Sequence, residues 1–178
     1  MQVTGLIFVK VALTRPLACY CLQVKLCDFG LAKVLCNEMN ENSKALVTPK
    51  TPTVARCTSY YTSPERHGDY KASKPDDVFA FGMTMFFMAT GVQPLIDLPA
   101  DAARAAIMRG ERPNGLLQAW VMSSEGQDKK AAEQYAALAA RCWDAIPARR
   151  PAFEEVWRKL SEIRAGLLNT ASAGSSGG

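Results

Sequence analysis

The residues best suited to chemistry begin with Asp28-Phe29-Gly30, which follows a short alternation of apolar and polar residues, Leu22–Cys27. The alternation predicts a half-buried strand, and the glycine predicts a tight turn directly after it. A carboxylate at such a turn suits Mg²⁺, which prefers one or two carboxylates together with phosphate oxygens. We therefore expect Asp28 to be a metal ligand, with an ordinary turn carboxylate as the alternative.

A second group of candidate residues lies in the polar stretch 37–58, where Thr48 and Thr51 are each followed by proline. A loop of this length is usually functional or disordered. Basic residues such as Lys50 and Arg56 flank the two threonines, and a phosphate added there could pair with them and order the loop. Thr48 and Thr51 are thus candidate phosphorylation sites, with solvated loop residues as the alternative.

The elements that must position these residues are mostly helical. The segment Val78–Thr90 is apolar nearly all round and predicts a buried helix. Asp76 or Asp77 is placed to cap its start, and Gly91 to end it. The remaining predicted elements are a strand-like run at Leu6–Leu13 and helices at Pro99–Arg109, Leu116–Met122, Lys129–Trp143 and Phe153–Leu168.

Composition excludes several classes of protein. The chain has 178 residues, 48% hydrophobic and 21% charged, which predicts one globular domain with a real core. The net charge of +4 is spread without a dense basic run, which argues against nucleic-acid binding, and no apolar segment suits a membrane span. Six scattered cysteines without a C-x-x-C pair argue against zinc and favour a reducing, cytoplasmic location.

Four motifs in chain order resemble the C-terminal lobe of eukaryotic protein kinases, over about Leu22 to Arg164. Three positions depart from the usual pattern, with Cys57 for Gly, Ser63 for Ala and Phe79 for Trp. Thr58 resembles the serine/threonine-specific form, and the last motif resembles the tyrosine-kinase-like group. The motifs are Val24–Lys33 around Asp-Phe-Gly, Cys57–Glu65 ending in Ser-Pro-Glu, Asp77–Gly82, and Arg141–Phe153 with its Arg-Pro.

The resemblance implies a mainly α fold, the kinase C-lobe, with a short strand or hairpin, an activation loop and about five helices, and with the N-lobe absent. We expect residues 1–21 to be an atypical segment, residues 22–168 a partial protein kinase domain and residues 169–178 a flexible tail. The explanation that residues 1–21 arise from an error in the gene model is favoured over a truly degenerate kinase, because only the rest follows the family.

The resemblance also implies roles for particular residues. Asp28 would hold Mg²⁺, with Phe29 and Gly30 completing the cofactor-binding turn. Thr58 would brace the catalytic loop, and Asp77 would open the buried helix. In the family the arginine of the last motif pairs with the glutamate of the activation segment, and the residues at these positions are Ser63, Pro64, Glu65 and Arg150.

The catalytic loop of the family is not found. Its proton-accepting Asp would lie about 18 residues before Asp28, near Lys10, and its metal-binding Asn near Arg15. Residues 1–21 contain no Asp, Asn or His. No catalytic residue is therefore identified, and lysine or arginine near Asp28 would oppose Mg²⁺ by like charge. We expect ATP and Mg²⁺ to be the cofactors of the family but not to bind this chain alone.

The sequence thus predicts part of a protein kinase whose family phosphorylates protein serine and threonine with ATP, inactive as this isolated chain. The alternative is a pseudokinase-like scaffold that binds protein partners without catalysis. In either case the expected partner is a protein, as substrate or as ligand, and neither nucleic acid nor a membrane.

Overall fold

The computed structural model describes the backbone of four short strands together with residues 59–69 and 73–173. The chain divides into two compact units, Met1–Pro52 and Thr53–Gly178. Several predicted site residues lie outside the described residues and remain predictions: Asp28, Phe29, Gly30, Thr48, Thr51 and Thr58.

The first unit contains two antiparallel strand pairs. Strand β1 (Gln2–Thr4) pairs with β4 (Lys33–Leu35), and β2 (Phe8–Ala12) pairs with β3 (Gln23–Cys27). The two strands predicted from apolar alternation are both present, each slightly shorter than expected. In the β2–β3 register Lys10 lies opposite Lys25.

The second unit is helical, as the sequence predicts, which confirms the mainly α fold of a kinase C-lobe. Five of its helices span two or more turns, and a single-turn helix precedes them. One short 3₁₀ turn, Ser59–Tyr61, precedes the first of these helices, and another, Pro147–Arg149, lies between the last two. In chain order the helices are α1 (Arg66–Asp69), α2 (Lys74–Thr90), α3 (Ala100–Met108), α4 (Asn114–Ser123), α5 (Gly126–Cys142) and α6 (Phe153–Ala173).

Helix α2 begins earlier than predicted. Ser73 is its N-cap, and Asp76, expected as a cap, lies at the third helical position, where its Oδ2 accepts the backbone N–H of Ser73 at 2.7 Å. The prediction of Asp76 or Asp77 as N-cap is therefore wrong. Pro75 is tolerated in the first turn because the N–H groups there have no partner within the helix. At the other end Gly91, with φ of 69°, terminates the helix as predicted.

The core is built around α2. Its buried side chains include Val78, Phe79, Met83, Met85 and Phe86, and helix α5 packs closely on this surface. Gly82 allows the approach: a Cβ atom added there would lie 2.8 Å from the Cβ of Cys142. The burial predicted for α2 ends near its C-terminus, where Phe87 and Met88 are exposed.

The C-terminal helix continues further than the sequence indicates. Helix α6 ends at Ala173, so residues 169–173 are helical and the tail predicted from Asn169 begins too early. Residues 174–178 lie outside the described residues. Trp157 on this helix is 73% exposed, whereas Val156 is buried. Across the described helices, none combines the length and the apolar character that crossing a membrane requires.

Candidate functional site

The central feature of the site is an ion pair between Glu65 and Arg150, which are 85 residues apart in sequence. The pair is bidentate: Nη1 of Arg150 lies 2.5 Å from Oε1 of Glu65, and Nη2 lies 2.9 Å from Oε2. The arginine side chain is fully buried and the glutamate side chain is 29% exposed. We call these two residues the anchor pair.

Arg150 is held in place on all sides. Its Nε donates to the carbonyl oxygen of Asp144 at 2.9 Å, and its Nη1 also donates to the carbonyl oxygen of Pro75 at 3.0 Å. Its guanidinium group lies over the ring of Phe79, 5.0 Å from the centroid. The planar fork of arginine can bind a carboxylate and an aromatic face together, which a lysine ammonium could not reproduce.

A second contact joins the same stretch of chain to helix α2. Ser63 is buried, and its Oγ donates to Oδ1 of Asp76 at 2.8 Å. Asp76 is itself buried, and Nη1 of Arg66 lies 3.9 Å from its Oδ2. The serine that replaces the alanine usual in kinases therefore adds a hydrogen bond to the start of α2 that an alanine cannot make.

The two carboxyl groups differ in their titration. Burial raises the pKa of Glu65, but the hydrogen bonds from Arg150 and the interaction with the carboxyl group of Asp76 outweigh that effect and hold the pKa below its ordinary value. Burial raises the pKa of Asp76, and the interaction with Glu65 acts in the same direction. Glu65 is therefore the ionised partner of Arg150, and Asp76 is the acid that more readily holds a proton.

Phe79 is shared by a second arginine. The guanidinium carbon of Arg112 lies 4.9 Å from the centroid of the same ring. Arg112 donates from Nε to the carbonyl oxygen of Trp143 and from Nη1 to that of Ile107, each at 3.0 Å. Burial lowers the pKa of Arg112, and the nearby charge of Arg150 lowers it further. The phenylalanine that replaces tryptophan thus contacts two cations, the buried Arg150 and the half-buried Arg112.

His67 is buried, with 6% exposure. Both ring nitrogens are buried without a hydrogen-bond partner in the described part of the chain. Burial lowers the pKa of His67, and the neighbouring charge of Arg104 adds to the effect. The imidazole is therefore neutral at neutral pH, and no described residue gives it a catalytic or metal-binding partner.

Among the predicted site residues that are described, Ser63, Glu65 and Arg150 come together in one cluster. Pro64 belongs to the same turn and accepts the backbone N–H of His67 at 3.2 Å. Asp77 lies half-buried in the first turn of α2. Within the described residues no group of three or more His, Cys, Asp or Glu could hold a metal. The contacts of the cluster join the Ser63–Glu65 turn to helix α2 and to the turn before α6.

Sequence reasoning missed two contributors to this cluster. Asp76 was considered only as a helix cap, although its neighbour Ser73 and the capping spacing [ST]-x-x-[DE] were visible in the sequence. Arg112 stands in an Arg-Pro dipeptide, and no local pattern indicates that its side chain reaches helix α2. Both roles depend on contacts between elements distant in sequence.

The chain matches the protein kinase domain family over residues 17–160. A Dictyostelium discoideum protein described as a probable serine/threonine-protein kinase is 29% identical over 143 residues, covering 80% of this chain and 13% of that protein. Serine/threonine-protein kinase VIK of Arabidopsis thaliana is 27% identical over 141 residues, covering 79% of this chain and 28% of that protein.

A third relative, an Arabidopsis thaliana protein described as a probable leucine-rich repeat receptor-like protein kinase, is 27% identical over 148 residues. That alignment covers 80% of this chain and 15% of the relative. This chain therefore spans between 13% and 28% of the length of these three proteins. With the match over 17–160 and the helical fold around the anchor pair, the chain belongs to the protein kinase domain family and carries part of that domain.

Proposed function

We propose that this chain supplies the C-lobe of a serine/threonine protein kinase, holding the end of the activation segment, and that it transfers no phosphate by itself. The observation that supports the proposal is the anchor pair. The bidentate contact of Arg150 with Glu65 fixes the Ser-Pro-Glu end of the segment against helix α2 and the turn before α6. In this proposal Thr58 and Asp77 support the same segment.

The chemistry of phosphoryl transfer requires more than this support. It needs a nucleotide cradle, metal ligands and a residue that accepts the substrate proton. Residues 1–21 contain no Asp, Asn or His, and Asp28 is the first carboxylate in the chain. These residues do not supply the donor set of the Mg²⁺–ATP site of the family.

Asp28, with Phe29 and Gly30, remains a proposed metal and cofactor contact that would act only together with residues this chain does not supply. The pseudokinase-like scaffold stays the second candidate, favoured specifically by the missing proton acceptor. Its ligand would be a protein, as would the substrate of a kinase. Because the cysteines follow no disulfide or zinc spacing, we place either function in the cytosol. Phosphorylation of Thr48 and Thr51 would regulate the loop before the anchor pair.

The experiment is a transfer assay with the purified 178-residue chain, labelled ATP, Mg²⁺ and a generic serine/threonine substrate. We expect incorporation no higher than that of the Asp28→Ala variant. A matched control is Asp97→Ala, which removes an exposed carboxylate elsewhere in the chain. Clear incorporation by the wild type and by Asp97→Ala, abolished in Asp28→Ala, would show that the chain is catalytic and overturn the proposal.

A further inference from the structure

Arg112, in the connection between α3 and α4, makes hydrogen bonds both to its neighbouring residue and to residues at the ends of two helices. Arg112 donates to the carbonyl oxygens of Ile107, near the end of α3, and of Trp143, just after α5. It also donates to the carbonyl oxygen of Glu111 at 2.7 Å. The side chain therefore links the ends of two helices, and its guanidinium plane is fixed in direction.

That fixed guanidinium rests on the ring that also supports the anchor pair. The guanidinium carbons of Arg112 and Arg150 lie 4.9 and 5.0 Å from the centroid of Phe79. A cation over an aromatic face is attracted to it, and more strongly where water is excluded. Phe79 is fully buried, so a shift of one guanidinium group would change how the ring packs. The changed position of the ring would in turn affect the other guanidinium group.

Charge links Arg112 to both members of the anchor pair. The two arginines repel each other and the carboxylate of Glu65 attracts both, although the nearby carboxylate of Asp144 also attracts Arg112. The Nη2 atom of Arg112 is buried and has no hydrogen-bond partner among the described residues. A buried donor without a partner is unfavourable, and its cost offsets part of the gain from the three hydrogen bonds that Arg112 makes.

We propose that Arg112 is a positioning residue for the anchor pair, acting through Phe79, so that the connection between α3 and α4 and the end of the activation segment are coupled. A partner that contacts that connection would then change the order of the segment without touching it. The coupling does not require phosphate transfer by this chain, so its failure would leave the proposed function standing.

A purely local role for Arg112 predicts something different. If it only ties the ends of α3 and α5 together through their carbonyl groups, its loss would weaken the domain by the same factor whether or not Glu65 is present. If it acts through the anchor pair, its loss would have little further effect once that pair is broken. A double-mutant cycle separates the two cases.

The cycle uses Arg112→Met, Glu65→Gln and the double variant in the full chain, with amide hydrogen exchange of residues 60–67 as the readout. Arg112→Met keeps much of the apolar stem and removes the charge. We expect each single change to speed exchange in this segment on the order of 10-fold. In the double variant exchange should be at least about 5-fold slower than the product of the single effects.

The control cycle pairs Glu65→Gln with Arg141→Met, which removes a cation bonded to Glu155 on the exposed side of α5. In this control cycle the effects of the two changes on the exchange rate of residues 60–67 should multiply independently. Independent multiplication in the Arg112 cycle as well would overturn the proposal. If Arg112→Met does not fold, the cycle is run with Arg112→Lys, which keeps the charge but loses the planar fork; independence there is equally fatal to the coupling.

Discussion

Two regions of this domain carry ion pairs of the same chemistry in very different surroundings. In the anchor pair the arginine side chain is fully buried and the glutamate is 29% exposed. On helix α6, Arg158 contacts Glu162 at 2.6 Å, but the two side chains are 57% and 50% exposed. The first pair joins residues 85 apart in sequence, and the second joins neighbouring turns of one helix.

The comparison teaches that distance between charges is a poor guide to their importance. On α6, water and salt screen the charges, and the freedom of two long side chains opposes their contact. If Glu65 is removed, Arg150 stays buried away from water, and the fold is left with an unpaired buried cation. The buried pair therefore holds distant parts of the fold together, whereas the exposed pair contributes little to stability.

The largest effect on stability is expected for Glu65→Gln. We expect it to lower the free energy of unfolding by about 3 kcal/mol, because Arg150 keeps its charge in a buried position without a counter-ion. Urea denaturation measures the change. The double variant Glu65→Leu with Arg150→Met should recover most of the loss, since no buried charge remains. A Glu65→Gln variant as stable as the wild type would contradict the account.

A second prediction concerns packing in place of charge. Gly82→Ala would bring its new Cβ to 2.8 Å from Cys142 Cβ, between α2 and α5. Overpacking of this kind costs about 1–3 kcal/mol, and thermal denaturation should show a clearly lower midpoint. The matched control is Gly115→Ala in helix α4, where an added Cβ meets nothing within 4 Å. That variant should be as stable as the wild type or slightly more stable.

His67 extends the comparison to a buried side chain whose ring nitrogens have no hydrogen-bond partner among the described residues. His67→Leu should stabilise the domain by about 1 kcal/mol at pH 7.5, because two buried nitrogens without hydrogen bonds are removed. Burial lowers the pKa of folded His67, so as pH falls through about 6.5 the unfolded chain takes up the proton first. The advantage of leucine should therefore grow towards pH 5.

Urea denaturation of the wild type and His67→Leu at both pH values tests this, because other titrating groups affect the two proteins alike. An advantage of leucine that shrinks as pH falls would show that the folded protein binds the proton more readily than the unfolded chain. The burial of His67 would then not control its titration.

The smallest expected effect is on the exposed pair. Glu162→Gln removes the partner of both Arg158 and Lys159 on α6. We expect no resolvable change in the urea midpoint at physiological salt, because all three side chains remain hydrated. A loss comparable to that of Glu65→Gln would remove the distinction between the two regions.

Much of the fold could be predicted from local patterns. The apolar run of α2, its terminal Gly91 and the alternation of β3 each depend on residues close in sequence. The start of α2 was missed because its first turn is polar and contains Pro75, so the apolar run alone places the boundary too late. The end of α6 was missed for a similar reason: its last residues carry no apolar periodicity.

The rest of the site depends on contacts that no local pattern contains. His67 follows an apparently exposed Pro-Glu-Arg stretch, and only the tertiary fold places it in the interior. The side chain of Arg112 contacts Phe79, which lies 33 residues earlier in the chain, and no local sequence pattern indicates this contact. The resemblance to kinases suggested that Glu65 and Arg150 pair, but not that Ser63 and Asp76 would add a second contact beside them.

The wide sequence separation of the anchor pair also has a consequence for folding kinetics. Closing a loop between residues 85 apart costs conformational entropy before the contact gives any return. Contacts of this kind tend to form after the rate-limiting step, so the pair should slow unfolding more than it speeds folding. The anchor pair would therefore mainly lengthen the lifetime of the folded domain.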